Sequence, residues 1–118
     1  MATRSTFGRF LRECRLRKDA PEFSVRKLAA RAGIEPSYLS KIERDEQPPP
    51  GEGTIRRLAE ELGEDADVLL ALAGKVPADL LEIIRARPRL FADLLRELKK
   101  MPDRAVLRLV REVRDGDW

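Results

Sequence analysis

Residues 24–43 read Ser24-Val25-Arg26-Lys27-Leu28-Ala29-Ala30-Arg31-Ala32-Gly33-Ile34-Glu35-Pro36-Ser37-Tyr38-Leu39-Ser40-Lys41-Ile42-Glu43, and their spacing predicts two short helices joined by a tight turn. Val25, Leu28, Ala29 and Ala32 recur at three- and four-residue intervals, as do Tyr38, Leu39 and Ile42, which is the period of an amphipathic helix. Ser24 is placed to cap the first of the two, Gly33 to end it in a left-handed turn, and Pro36 to start the second, where a missing N–H costs nothing. Ala29 keeps the crossing of the two helices close. With Leu39 and Ile42 turned inward, Ser37, Lys41 and Arg44 share the free face, and Tyr38 and Ser40 lie at its edges. These are hydrogen-bond donors spaced to lie along a DNA major groove, which is ~12 Å wide.

Outward from this stretch the same period continues. Phe7, Phe10, Leu11 and Cys14 form a stripe before it, and Ile55, Leu58, Ala59, Leu62, then Val68, Leu69, Leu72, Ala73, form two after it. That predicts five helices by residue 73. The run Gln47-Pro48-Pro49-Pro50-Gly51-Glu52-Gly53 is expected as a semi-rigid loop, with Thr54 a candidate cap for the fourth helix, Gly63 closing it and Asp65 opening the fifth. Beyond Gly74-Lys75-Val76-Pro77 come three more stripes: Leu80, Leu81, Ile84; then Leu90, Phe91, Leu94, Leu95, Leu98; then Val106, Leu107, Val110, Val113. Pro88 and Pro102 stand at the starts of the last two. No strand pattern is present. The expectation is an all-α chain with a five-helix DNA-binding domain over residues 1–75 and a small three-helix unit over 76–118.

The second unit, at about forty residues, is near the limit of independent stability. Its short helices cannot all cover their apolar stripes within one chain, so a homodimer is expected. Leu80, Leu81, Ile84, Phe91, Leu94, Leu95, Leu98, Val106, Leu107 and Val110 are its expected interface.

The chain has 118 residues, 42% hydrophobic and 38% charged, enough for one compact domain or two very small ones. It has no histidine and one cysteine, which excludes His-based acid/base chemistry, histidine metal sites and an intramolecular disulfide. With no nucleophile motif and no phosphate loop either, the protein is expected not to be an enzyme, and neither metal nor cofactor is expected. No apolar run reaches the ~18 residues of a membrane span, so a cytoplasmic protein is the expectation. The net charge of +3 is unevenly spread: residues 1–44 carry +6, residues 45–75 carry −5 and residues 76–118 carry +2. A basic end beside an acidic middle gives a polyanion-binding face, and double-stranded DNA is the expected partner. RNA fits less well, because the six aromatics lie mostly on apolar stripes rather than on a stacking platform.

On these residues the sequence resembles the helix-turn-helix regulators of the lambda-repressor/Cro type, the XRE family, over residues 7 to about 74. The matching positions are Ser24, Leu28-Ala29, Gly33-Ile34, Tyr38-Leu39-Ser40, Ile42-Glu43-Arg44 and the closing RRLAEELGEDADVLLALAG. The resemblance implies a third helix in the major groove and a second lying across it. It places base contacts on Pro36, Ser37, Tyr38 and Lys41, of which lysine can donate to guanine O6 and N7. Phosphate contacts fall on Ser24, Arg26, Ser40, Arg44 and Gln47. Arg15 and Glu43 match a structural ion pair of the family and are thereby set aside as DNA ligands.

Two positions depart from the family pattern. Val25 stands where a phosphate-binding glutamine is usual, so Arg26 or backbone N–H groups must serve there, and Glu35 replaces a small capping hydroxyl. The link Asp19-Ala20-Pro21-Glu22-Phe23 is also about three residues longer than usual, as an exposed loop can be.

Two functions fit this reading. One is a transcriptional repressor that binds an inverted-repeat operator as a homodimer. The other is an antitoxin or inhibitor that regulates its own operon and masks a partner protein with its C-terminal helices. The resemblance adds that some short regulators of this type are cut in the tail by an IrrE-like zinc metallopeptidase, for which residues 90–112 would be the zone. Cys14, on an apolar face, reads as packed core.

Overall fold

The computed structural model of the protein describes residues 6–118, and the described residues form eight α-helices with no strand. They fall into two compact units, one ending at Pro77 and the other running from Ala78 to Trp118. The division lies two residues beyond the 75/76 boundary read from the sequence.

The first unit contains α1 (Phe7–Arg17), α2 (Val25–Ala32), α3 (Pro36–Glu43), α4 (Glu52–Leu62) and α5 (Ala66–Leu72), with a 3-10 turn at Pro21–Phe23. Local chemistry sets most of their ends. The Thr6 and Ser24 hydroxyls accept the N–H groups of Arg9 and Lys27, and the Asp65 carboxylate accepts that of Asp67. Gly33 and Gly63 end α2 and α4 with φ of 74° and 68°, the left-handed region that a Cβ disfavours. One core holds the unit together: Phe7, Leu11 and Cys14 of α1, Leu28, Ala29 and Ala32 of α2, Leu39 and Ile42 of α3, Ile55, Leu58, Ala59 and Leu62 of α4, and Leu69 and Leu70 of α5. Burial pushes the Cys14 thiol up, the nearby Glu64 adds to this, and a hydrogen bond from Arg17 opposes it, so this cysteine is a packing residue.

Three local expectations give way. Glu52 and Gly53 are helical, Gly51 is the N-cap of α4, and Thr54 lies inside the helix rather than capping it. Glu52 suits the positive end of the helix dipole and pairs with Arg56 one turn on. In α5 the core residues are Leu69 and Leu70, with Ala66 and Ala73 packed beside them. Val68 and Leu72, expected on that face, are 46% and 37% exposed. Finally, the α1–α2 link, exposed at Asp19, Pro21 and Glu22, is not a loose loop: it folds into a hydrogen-bonded 3-10 turn whose Phe23 packs against the core.

Gly8 sets the approach of α1 to α3. A Cβ there would meet the carbonyl oxygen of Ile42 and come within 2.7 Å of the Asp45 carboxylate. In an open helix Gly→Ala gains up to ~1 kcal/mol. Here the obstacle is the backbone of the last turn of α3, so Gly8→Ala should instead destabilise the protein by about 1–3 kcal/mol, read as a lowered urea midpoint at unchanged slope. A stabilised variant would show that α1 and α3 stand further apart.

The second unit holds α6 (Ala78–Ala86), α7 (Pro88–Leu98) and α8 (Asp103–Asp115), with α6 packed on α7. None of its residues is buried. Leu81, Ile84, Phe91, Leu98, Val106 and Leu109 are half-buried, whereas Leu80, Ile83, Leu90, Leu94, Leu95, Leu107 and Val110 are exposed. On α8 the apolar side runs through Val106, Leu109, Val110 and Val113. Leu107, expected on that stripe, sits beside it.

Candidate nucleic-acid interface

α3 is fixed on one side and free on the other. Leu39, Ile42 and Glu43 are buried, and Ser37, Lys41 and Arg44 are exposed at i, i+4 and i+7. Tyr38 and Ser40 flank this face half-buried, the Tyr38 ring packing against the core, and Pro36 is half-buried at the first turn. Arg44 forms an exposed ion pair with Glu46 at 2.8 Å, a contact weak enough in water to yield to a phosphate. Gln47 is exposed beyond it.

The start of α2 supplies a second set of donors. Ser24 Oγ accepts the Lys27 N–H at 3.2 Å, which leaves the hydroxyl hydrogen free to donate outward. The N–H groups of Val25 and Arg26 have no acceptor among the described residues, and the Arg26 side chain is exposed. Where the resemblance asks for a glutamine at residue 25, backbone N–H groups are thus available. At the start of α3 Glu35 makes no side-chain capping bond, so the N–H groups of Ser37 and Tyr38 also lack intrahelical partners.

One ion pair ties these two donor sets together. Arg15 Nε and Nη2 donate to Glu43 Oε2 and Oε1, both at 2.8 Å, and the side chains are 11% and 3% exposed. Arg15 Nη1 donates at 3.2 Å to the carbonyl of Phe23, the residue before the α2 cap. The hydrogen bond to Glu43 raises the guanidinium pKa against the opposing effect of burial. A second clasp joins Thr6, the cap of α1, to Asp45, which follows α3 in a left-handed conformation: Thr6 Oγ1 donates to Asp45 Oδ2 at 3.0 Å.

Gly8 and Asp45 escaped the sequence reading. A glycine in the first turn of an apolar stripe was the available signal for the first. An aspartate directly after a helix, where left-handed backbone is tolerated, was the signal for the second.

Comparison with known families matches residues 6–72 to a helix-turn-helix domain. The chain belongs to the helix-turn-helix domain family. α2 and α3 are its helix-turn-helix motif. A curated relative, the uncharacterized HTH-type transcriptional regulator RghRB of Bacillus subtilis (strain 168), is 38% identical over 74 residues, which cover 63% of this chain and 51% of the relative. The chain thus matches about half the length of that relative. Among solved structures, a chain from the SinR protein/SinI protein complex aligns with 24% identity and a TM-score of 0.49, over 81% of this chain and 100% of that one.

Among the described residues, no helix is long and apolar enough to cross a membrane.

Proposed function

We propose that this regulator is a sequence-specific repressor that binds an inverted-repeat operator as a homodimer in the cytoplasm. The carrying observation is the free face of α3. Ser37, Lys41 and Arg44 form a row of exposed donors, and the start of α2 adds N–H groups without acceptors among the described residues. In this reading α3 lies in the major groove with Pro36, Ser37, Tyr38 and Lys41 at the base edges. Ser24, Arg26, Ser40, Arg44 and Gln47 hold phosphates, and Arg15 with Glu43 holds the motif in shape. The half-packing of Tyr38 and Ser40 leaves Ser37 and Lys41 the freest to reach bases. Two copies would read half-sites about one helical turn, ~34 Å, apart. Selection from random duplexes followed by titration across salt tests this: the reading fails if no duplex is preferred over random DNA.

Within that reading, Lys41→Ala should weaken the selected operator by about 1–3 kcal/mol and leave random DNA nearly untouched, as befits a base contact. Arg26→Ala should weaken both alike and flatten the salt dependence by about one charge. Equal losses on both duplexes for Lys41→Ala would make it a phosphate ligand.

A second reading draws on the second unit, whose apolar side chains are only half-covered or exposed. In an antitoxin or inhibitor those helices would mask a partner protein while the first unit regulates the operon. Co-purification of a stoichiometric partner encoded beside the gene would favour it. Tail cleavage by an IrrE-like metallopeptidase rests on the family resemblance alone, and incubation with such a peptidase, read by mass, tests it.

A further inference from the structure

The extra turn between α1 and α2 is more firmly fastened than its surface position requires. Its own backbone bonds, Phe23 N–H to Ala20 O at 3.0 Å and Ser24 N–H to Pro21 O at 3.2 Å, fold it into the 3-10 turn. Side chains from two helices then hold it. Arg15 Nη1 of α1 donates to Phe23 O at 3.2 Å, and Arg31 Nη1 of α2 donates to Glu22 O at 2.7 Å. Arg31 Nε simultaneously donates at 2.7 Å to Glu61 of α4. The Phe23 ring packs against the core, and the Arg31 guanidinium and the Lys18 ammonium lie over it, 5.1 and 5.5 Å from its centroid. Cations over an aromatic face are attracted by the ring quadrupole.

The side chains of Arg15, Arg31 and Lys18 thus act on Glu22 and Phe23, the two residues immediately before Ser24. We propose that Phe23 and Arg31 are positioning residues for the DNA-phosphate contact at the start of α2: they fix the path of the chain into Ser24, so that its hydroxyl and the N–H groups of Val25 and Arg26 are aimed before DNA arrives. This rests on the reading of Ser24 as a phosphate ligand given above. The physical basis is preorganisation: a donor set that is already ordered loses no conformational freedom on binding, and a hydrogen bond to an anion weakens steeply when its donor is misdirected. The guanidinium of Arg31 has its Nε and Nη1 donors engaged by the Glu61 carboxylate and the Glu22 carbonyl, which holds it against the turn.

The test is a double-mutant cycle in the full-length protein, read as affinity for a fixed random duplex at several salt concentrations. Phe23→Leu keeps apolar bulk and net charge but removes the ring face. Ser24→Ala should weaken binding by about tenfold, the size of one charge-assisted hydrogen bond. Phe23→Leu should weaken it comparably, and the double variant should be little worse than either single one, because both act on one contact. Phe23→Tyr, which keeps the ring, should bind as the natural protein does. Arg31→Lys, which keeps the charge and loses the two-armed grip, should repeat the Phe23→Leu pattern and provides the measurement if Phe23→Leu does not fold. A merely structural role would lower the unfolding midpoint while leaving affinity unchanged, or would give losses that add to that of Ser24→Ala, and either result overturns the inference. If Ser24→Ala itself leaves affinity intact, it is the phosphate reading of Ser24 that has failed, and the inference falls with it.

Discussion

Glu43→Ala should cost about 3–5 kcal/mol of stability, the cost of removing one partner of a buried ion pair. Glu43 is buried at the end of α3, and its carboxylate takes both arms of the Arg15 guanidinium at 2.8 Å. Removing the carboxylate does not return Arg15 to water. It leaves a charge that is 11% exposed with only the Phe23 carbonyl as partner. The penalty is therefore desolvation of a stranded cation more than loss of a bond. Arg15→Met combined with Glu43→Leu removes both charges and should recover much of the loss, because apolar side chains of similar size replace buried ion pairs at little or no net cost. Urea unfolding of the two single variants and the double one decides it. A double variant as unstable as Glu43→Ala would mean that packing geometry, not the stranded charge, sets the cost.

The same pair explains why the motif keeps its shape without a long interface. α2 and α3 have eight residues each, too short to be stable alone, so their relative angle is set by what they pack on. Ala29 allows close packing within the core, and Gly8 lets α1 approach the last turn of α3. Arg15 then bridges the end of α3 and the entrance of α2. The donors that face outward are aimed by groups that face inward.

Legibility in the sequence followed the range of the interaction. Caps and terminators act within one turn, so Ser24, Gly33, Pro36, Gly63 and Asp65 could be placed from their neighbours, and each stands where its chemistry suggests. The free face of α3 was legible because Leu39 and Ile42 fix its opposite side. The first turn of α4 was hidden by Gly51-Glu52-Gly53, a composition that favours a loop. Burial of Ile55, Leu58 and Leu62 and the pairing of Glu52 with Arg56 outweigh the local cost of Gly53. In α5 the segment from Val68 to Ala73 is apolar at every position, so the period could not separate Leu70 from Leu72. Phe23 and Gly8 were illegible for another reason. Their roles depend on Arg31, Lys18 and Ile42, eight, five and thirty-four positions away, and nothing local announces which side chain or carbonyl will cross there.

Removing the second unit should reduce affinity for a two-half-site operator by about 10²-fold or more while leaving the fold of the first unit intact. All the buried hydrophobic side chains among the described residues lie between Phe7 and Leu70, so a chain ending at Pro77 keeps its whole core. The second unit, by contrast, buries none of its residues, and Leu90 and Leu107 are 65% and 56% exposed. Apolar stripes on helices of 9, 11 and 13 residues, left in water, supply little stability to a monomer and a strong incentive to associate. If two copies join through these helices, the second half-site is bound from an effective concentration in the millimolar range. Affinity is then gained without a new contact to DNA. Cutting the chain anywhere in the second unit would act as an off switch with the α3 face unchanged. Ultracentrifugation of the full chain and of residues 1–77, with operator titrations of both, checks each step. A full chain that is monomeric, or a truncated one that is still dimeric and binds as tightly, would place the interface outside the second unit.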